Sequence, residues 1–84
     1  MSDFVAAAEK TLSNYNWYAY MYDSNRKDRE ARAADLYLKG AQKFQRDQCY
    51  EDAANTYLKA FEYTPDKDLL MQAFQNYLKA NLVS

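Results

Sequence analysis

Histidine is absent from these 84 residues, and glycine, proline and cysteine occur once each. Without histidine the chain lacks the side chain that most often works as a general base near neutral pH, and the commonest nitrogen ligand for a metal. One glycine, Gly40, excludes a glycine-rich phosphate loop. One proline, Pro65, leaves little to punctuate a sheet of short strands. Cys49 has no second cysteine with which to form an internal bridge, which fits a reducing compartment. No apolar run approaches the length of a membrane-spanning helix, and the first residues lack the basic-then-apolar order of a secretory signal. A soluble, cytoplasmic protein is the expectation.

Excess charge is lacking as well: the net charge is -1, which gives no bulk attraction to nucleic acid. No serine nucleophile motif occurs, and no cysteine cluster has metal-ligand spacing. Acid pairs such as Glu51-Asp52 and Asp66-Asp68 stand at expected helix starts, where carboxylates are favoured anyway. Cys49 falls in a polar turn near Arg46, with no histidine to activate it, and reads as incidental. The chain is therefore expected to be no enzyme, with no catalytic residue, metal, cofactor or small-molecule substrate.

What is present is alanine, leucine, glutamine, lysine and acids, a composition that favours helix. It carries a repeat. Tyr37-Leu38-Lys39-Gly40, Tyr57-Leu58-Lys59-Ala60 and Tyr77-Leu78-Lys79-Ala80 recur every twenty residues. Such a unit holds one helix of about 14–16 residues and a short connection. Two units then make a helical hairpin of the length used in stacked repeats. The fold class expected is all-α: antiparallel helical hairpins in a short solenoid of about four helices, one domain over residues 1–84. Helix 1 is assigned to residues 1–14, running from about Asp3 to Asn14 with Ser2 as N-cap. An aromatic connection follows over 15–26, then helix 2 at 27–45, helix 3 at 50–63 and helix 4 at 65–82, with Thr64 as cap and Pro65 in the first helical position.

On a helical wheel Ala33, Tyr37, Gly40, Ala41 and Phe44 fall on one side of helix 2 and should face inward. Arg32, Lys39, Lys43 and Arg46 form a second row about 120° away by the same geometry. These four are the candidate partner-binding residues. Bases prevail from Arg26 to Arg46 and acids from Asp47 to Asp68, so the charge is divided between neighbouring segments. The alanines let helices approach closely, the Tyr-Leu positions read as a packing code, and the repeated lysines read as solvated surface.

The segment EARAADLYLKGAQKFQRDQCYEDAANTYLKAF resembles the first full hairpin of the soluble NSF attachment proteins, the SNAP family. The pattern lies in Ala33, Tyr37, Ala41 and Phe44, then Tyr50, Ala53, Asn55, Lys59 and Ala60. AAAEKTL, residues 6–12, is similar to the family's first helix, so the likeness covers about residues 6–63. Its alanine and aromatic positions also satisfy generic tetratricopeptide-like hairpins. The resemblance implies a twisted stack of antiparallel helices whose concave face holds a bundled SNARE complex, partly through basic side chains. In the family a C-terminal helical region engages a hexameric ATPase. The four expected helices hold no counterpart of it, and a truncated form that occupies SNARE bundles without recruiting the ATPase stays open. A generic scaffold holding a peptide or helix in its groove is the alternative.

The resemblance also implies that the connection between the first two helices dips into a membrane. Here that connection reads NYNWYAYMYDSN, richer in tyrosine than the family's usual Phe, Leu and Gly. If helix 1 simply continued, Tyr15, Tyr18 and Tyr22 would extend its Phe4–Ala8–Leu12 stripe into the core. Trp17, Tyr20 and Met21 would then fall on another face that so small a chain cannot cover. An exposed connection is expected instead, with Tyr15 the most buried ring. Trp17, Tyr18, Tyr20 and Tyr22 are the candidate membrane or interface contacts, followed by Arg26, Lys27 and Arg29 to meet anionic headgroups. The expected location is cytoplasmic, with peripheral membrane contact.

Overall fold

A computed structural model describes residues 3–13 and 23–83. Among the described residues the regular structure is all helix, with no strand: α1 (Asp3–Ser13), α2 (Asp23–Arg46), α3 (Tyr50–Tyr63) and α4 (Lys67–Val83). Each helix packs on the next in sequence, α1 on α2, α2 on α3 and α3 on α4. The pairing is antiparallel where side chains mark it. Tyr37 of α2 stacks on Tyr63 of α3, with centroids 6.1 Å apart. Farther along α2, Gln45 meets Tyr57, nearer the start of α3. Likewise Asn55 of α3 meets Tyr77 of α4, while the earlier Tyr50 meets the later Lys79.

This order of contacts makes a row of hairpins. The Cα radius of gyration is 13.7 Å, against about 12 Å for a spherical domain of this length. The extents are 47 × 26 × 14 Å, and the shortest matches two helix layers whose axes lie about 10 Å apart. The chain is a short solenoid.

Alanine sets that spacing. One core cluster gathers Ala8, Ala33, Tyr37 and Ala60 from α1, α2 and α3. A second gathers Ala41, Ala53, Tyr57 and Ala73 from α2, α3 and α4, with Leu69 packed against both. Single methyl groups let the backbones approach, and the tyrosines at the twenty-residue repeat fill the gaps. Tyr37 and Tyr57 are buried, whereas Phe44, Tyr50 and Phe61 are half-buried. Each such ring taken from water contributes about 2 kcal/mol.

Two helix starts differ from the expectation. α2 begins at Asp23, not Lys27, so residues 23–26 belong to the helix and not to the aromatic connection. Asp-Ser-Asn are good caps, but they are also tolerated in a first turn, and no proline or glycine stands there to stop the helix. α4 begins at Lys67, not Pro65. Proline forces the residue before it into extended backbone, and Thr64 has φ -138° and ψ 88°. Thr64 therefore closes α3, its N–H donating to Ala60 O at 2.9 Å. Asp66 does the capping of α4, its Oδ1 accepting from the Asp68 N–H at 3.0 Å. Ser2, expected to cap α1, lies outside the described residues.

Candidate partner-binding surface

The inward face of α2 is fixed by Ala33, Ala34, Tyr37, Gly40 and Ala41, all buried. That fixes the outward face too. Arg32, Lys39, Lys43 and Arg46 recur at 3.5- to 3.7-residue intervals on average and are all exposed. The row is not purely cationic, however. Lys39 Nζ lies 3.1 Å from Asp35 Oδ2, one turn back on the same helix. Both side chains are more than half exposed, so the pair is screened and open to exchange with a partner's carboxylate. Lys43 and Arg46 also stand in the last turn of α2, where cations complement the helix dipole.

The repeated lysines turn out to have three different neighbours. Lys39 meets Asp35, Lys59 lies 3.8 Å from Glu62, and Lys79 sits over the Tyr50 ring at 5.5 Å from its centroid. Their identity in sequence does not make them one surface.

Beside the row a groove of about 750 Å³ opens between α2 and α4. Gln42, Gln45 and Arg46 line it from α2, and Asp66, Asp68 and Gln72 from the start of α4, with Tyr57 of α3 between. A smaller recess of about 260 Å³ shares Leu38, Asp66 and Leu69 with it. Acids thus mark the end where the two recesses join, and Arg46 marks the larger one alone. This groove was not among the sequence candidates. Its amides carry no chemical motif, and the spacing Leu38–Gln42–Gln45 is an ordinary helix face. Arg46 is the one residue shared by the predicted row and the groove.

Under the groove lies a buried polar cluster. Tyr57 donates its hydroxyl to Gln45 Oε1 at 3.0 Å. Asn76, 1% exposed, donates from Nδ2 to Gln72 O at 2.7 Å and to the same Gln45 oxygen at 3.4 Å. Asn76 Oδ1 is buried with no hydrogen-bond partner. Desolvation by burial raises the Tyr57 phenol above its ordinary 10.0. The Tyr37 phenol is raised by burial first, then by Tyr63, Glu9 and Glu62 nearby. Both rings are neutral packing groups at physiological pH and not acids or bases.

Trp17, Tyr18, Tyr20 and Tyr22, with Tyr15 and Met21, lie outside the described residues. Of the bases after them, Lys27 is exposed and Arg29 half-buried. No described helix is long and apolar enough to cross a membrane. Cys49 is a free, exposed cysteine in the α2–α3 turn, and among the described residues no group of acids and cysteine is placed to hold a metal.

A family described as soluble NSF attachment protein, SNAP, matches residues 1–84, a longer stretch than the resemblance over residues 6–63. No curated protein and no solved structure matches.

Proposed function

The chain belongs to the soluble NSF attachment protein (SNAP) family, and we propose that it serves as a SNAP-like adaptor in vesicle fusion, binding a SNARE bundle and a membrane surface. The family is one of adaptors and not of enzymes. The observation that carries the proposal is the exposed row Arg32, Lys39, Lys43 and Arg46 on the outward face of α2, within a short solenoid of antiparallel helices. A helical bundle with acidic side chains suits such a row, because its charges can replace Asp35 at Lys39 and meet the other three directly. Trp17, Tyr18, Tyr20 and Tyr22 supply the membrane contact in this reading, with the protein cytoplasmic and peripheral. Rings with an apolar body and a polar tip favour the headgroup region, and each nearby base adds about 1 kcal/mol at an anionic leaflet.

A second reading draws on the groove between α2 and α4. Amides, acids at one end and Arg46 toward the other suit an extended peptide or a helix of a different partner. Pull-down with an assembled SNARE bundle separates the two readings. Reversing Arg32, Lys39, Lys43 and Arg46 to Glu should abolish capture, while filling the groove by Gln42→Trp should leave it intact, both at unchanged helicity. The opposite pattern would move the bundle from the row to the groove, and no capture of the bundle by the wild-type chain would favour the peptide scaffold.

Liposome co-sedimentation tests the membrane half. A Trp17→Ser, Tyr18→Ser, Tyr20→Ser variant should bind anionic vesicles less than wild type does and melt at the same temperature. A lower melting temperature with no lipid binding in either protein would place the rings in the core.

A further inference from the structure

The groove between α2 and α4 has both walls on described helices, with Tyr57 of α3 beneath. The smaller recess that joins it carries the path back along α2 to Asp35, Ala34 and Ala31. Charge is sorted along this path. Asp66 lines both recesses, Asp35 the smaller and Asp68 the larger, whereas Arg46 is the last residue of α2 to line the larger one. Asp35 is shared with Lys39. Among the described residues no ion pair engages Asp66, Asp68 or Arg46.

Between the acids and Arg46 the lining is largely amide. Gln45 Oε1 accepts from the Tyr57 hydroxyl at 3.0 Å and from Asn76 Nδ2 at 3.4 Å. Asn76 cannot be turned over to reverse this, because its Nδ2 also donates to Gln72 O at 2.7 Å. The Gln45 oxygen is thereby committed to the buried cluster, and its NH2 is the half of the amide left for a ligand.

Resting on the second reading above, we propose that the groove binds an extended peptide segment with a basic and an acidic residue five positions apart. The base meets Asp66 and Asp68, and the acid meets Arg46, whose planar guanidinium suits a carboxylate. The amides favour an extended segment over a helix. Extended chain offers unpaired main-chain N–H and C=O groups to Gln42, Gln45 and Gln72, whereas a helix has already paired its own. The spacing follows from α2. Asp35, which shares the smaller recess with Asp66, precedes Arg46 by about 16 Å at about 1.5 Å per residue. About five extended residues span that distance at about 3.3 Å each. Leu38 and Leu69, common to both recesses, suit an apolar side chain near the base.

Fluorescence anisotropy of dye-labelled, end-capped hexapeptides on the full chain tests this. The four probes are Lys-Ser-Leu-Ser-Ser-Glu, its reversed sequence, and the versions with Lys or with Glu at both ends. One of the two mixed sequences should bind about fivefold tighter than either single-sign probe. Arg46→Glu should move the preference to the probe with two lysines, and Asp68→Lys to the probe with two glutamates, both at unchanged helicity. Gln42→Trp should abolish binding of every probe. Probes that are blocked by Gln42→Trp yet keep the same ranking after either charge reversal overturn the charge-ordered ligand and leave a peptide groove standing. Binding that survives Gln42→Trp, or no binding of any probe up to near-millimolar protein, overturns the peptide groove as well.

Discussion

Gln48 takes the left-handed region of the backbone, with φ at 63°. It closes α2 in a Schellman turn: the Cys49 N–H reaches back to Phe44 O at 2.8 Å, and the Gln48 N–H to Gln45 O at 3.1 Å. Glycine is the residue that takes this conformation without steric cost. Gln48→Gly should therefore raise stability by about 0.5–1 kcal/mol after allowing for the looser unfolded chain, seen as a higher denaturation midpoint in urea. Tyr37 supplies a second residue-level outcome. Its phenol is held above the ordinary 10.0, chiefly by burial, so the native state keeps a proton that the unfolded chain has begun to lose. Stability is then fully present below pH 10 and falls as pH rises through the folded value. Tyr37→Phe should make the alkaline limb of a stability–pH profile shallower while leaving the limb below neutrality alone.

At the scale of the helices, the start of α4 depends on one side chain. Asp66 is exposed but accepts the Asp68 N–H and adds negative charge at the positive helix end. Asp66→Ala should cost about 1 kcal/mol, measured as a lower thermal midpoint, whereas Thr64→Ala should cost less, since Thr64 contributes its backbone N–H to α3. The sequence pointed to Thr64 because Thr-Pro-Asp reads equally well with either residue as cap, and only the extended backbone before proline separates the two. The early start of α2 was hidden for a related reason, because Asp23, Ser24 and Asn25 are acceptable both as caps and inside a first turn. The helices themselves were legible because alanines and tyrosines recur at positions that must face inward. The row on α2 was legible as a period of charges. Its internal pairing through Asp35 required counting the acid one turn before Lys39. The groove was not legible, since glutamines from two helices meet there only through the stacking of α2, α3 and α4.

Taken as a molecule, the chain carries a charged ridge and an adjoining groove on the α2–α4 flank. Membership of the SNAP family gives the ridge its proposed partner, and the claim that follows is electrostatic. Binding through exposed charges weakens as the screening length contracts from about 10 Å at 0.1 M salt to about 3 Å at 1 M. The most direct test is the affinity for an assembled SNARE bundle, measured across that salt range for wild type and for the chain with Arg32, Lys39, Lys43 and Arg46 reversed to Glu. Wild-type affinity should fall steadily with salt, and the reversed chain should bind at least tenfold more weakly at low salt, about 1.4 kcal/mol, with the two converging at high salt. Equal, salt-independent affinities for two equally helical proteins would contradict it.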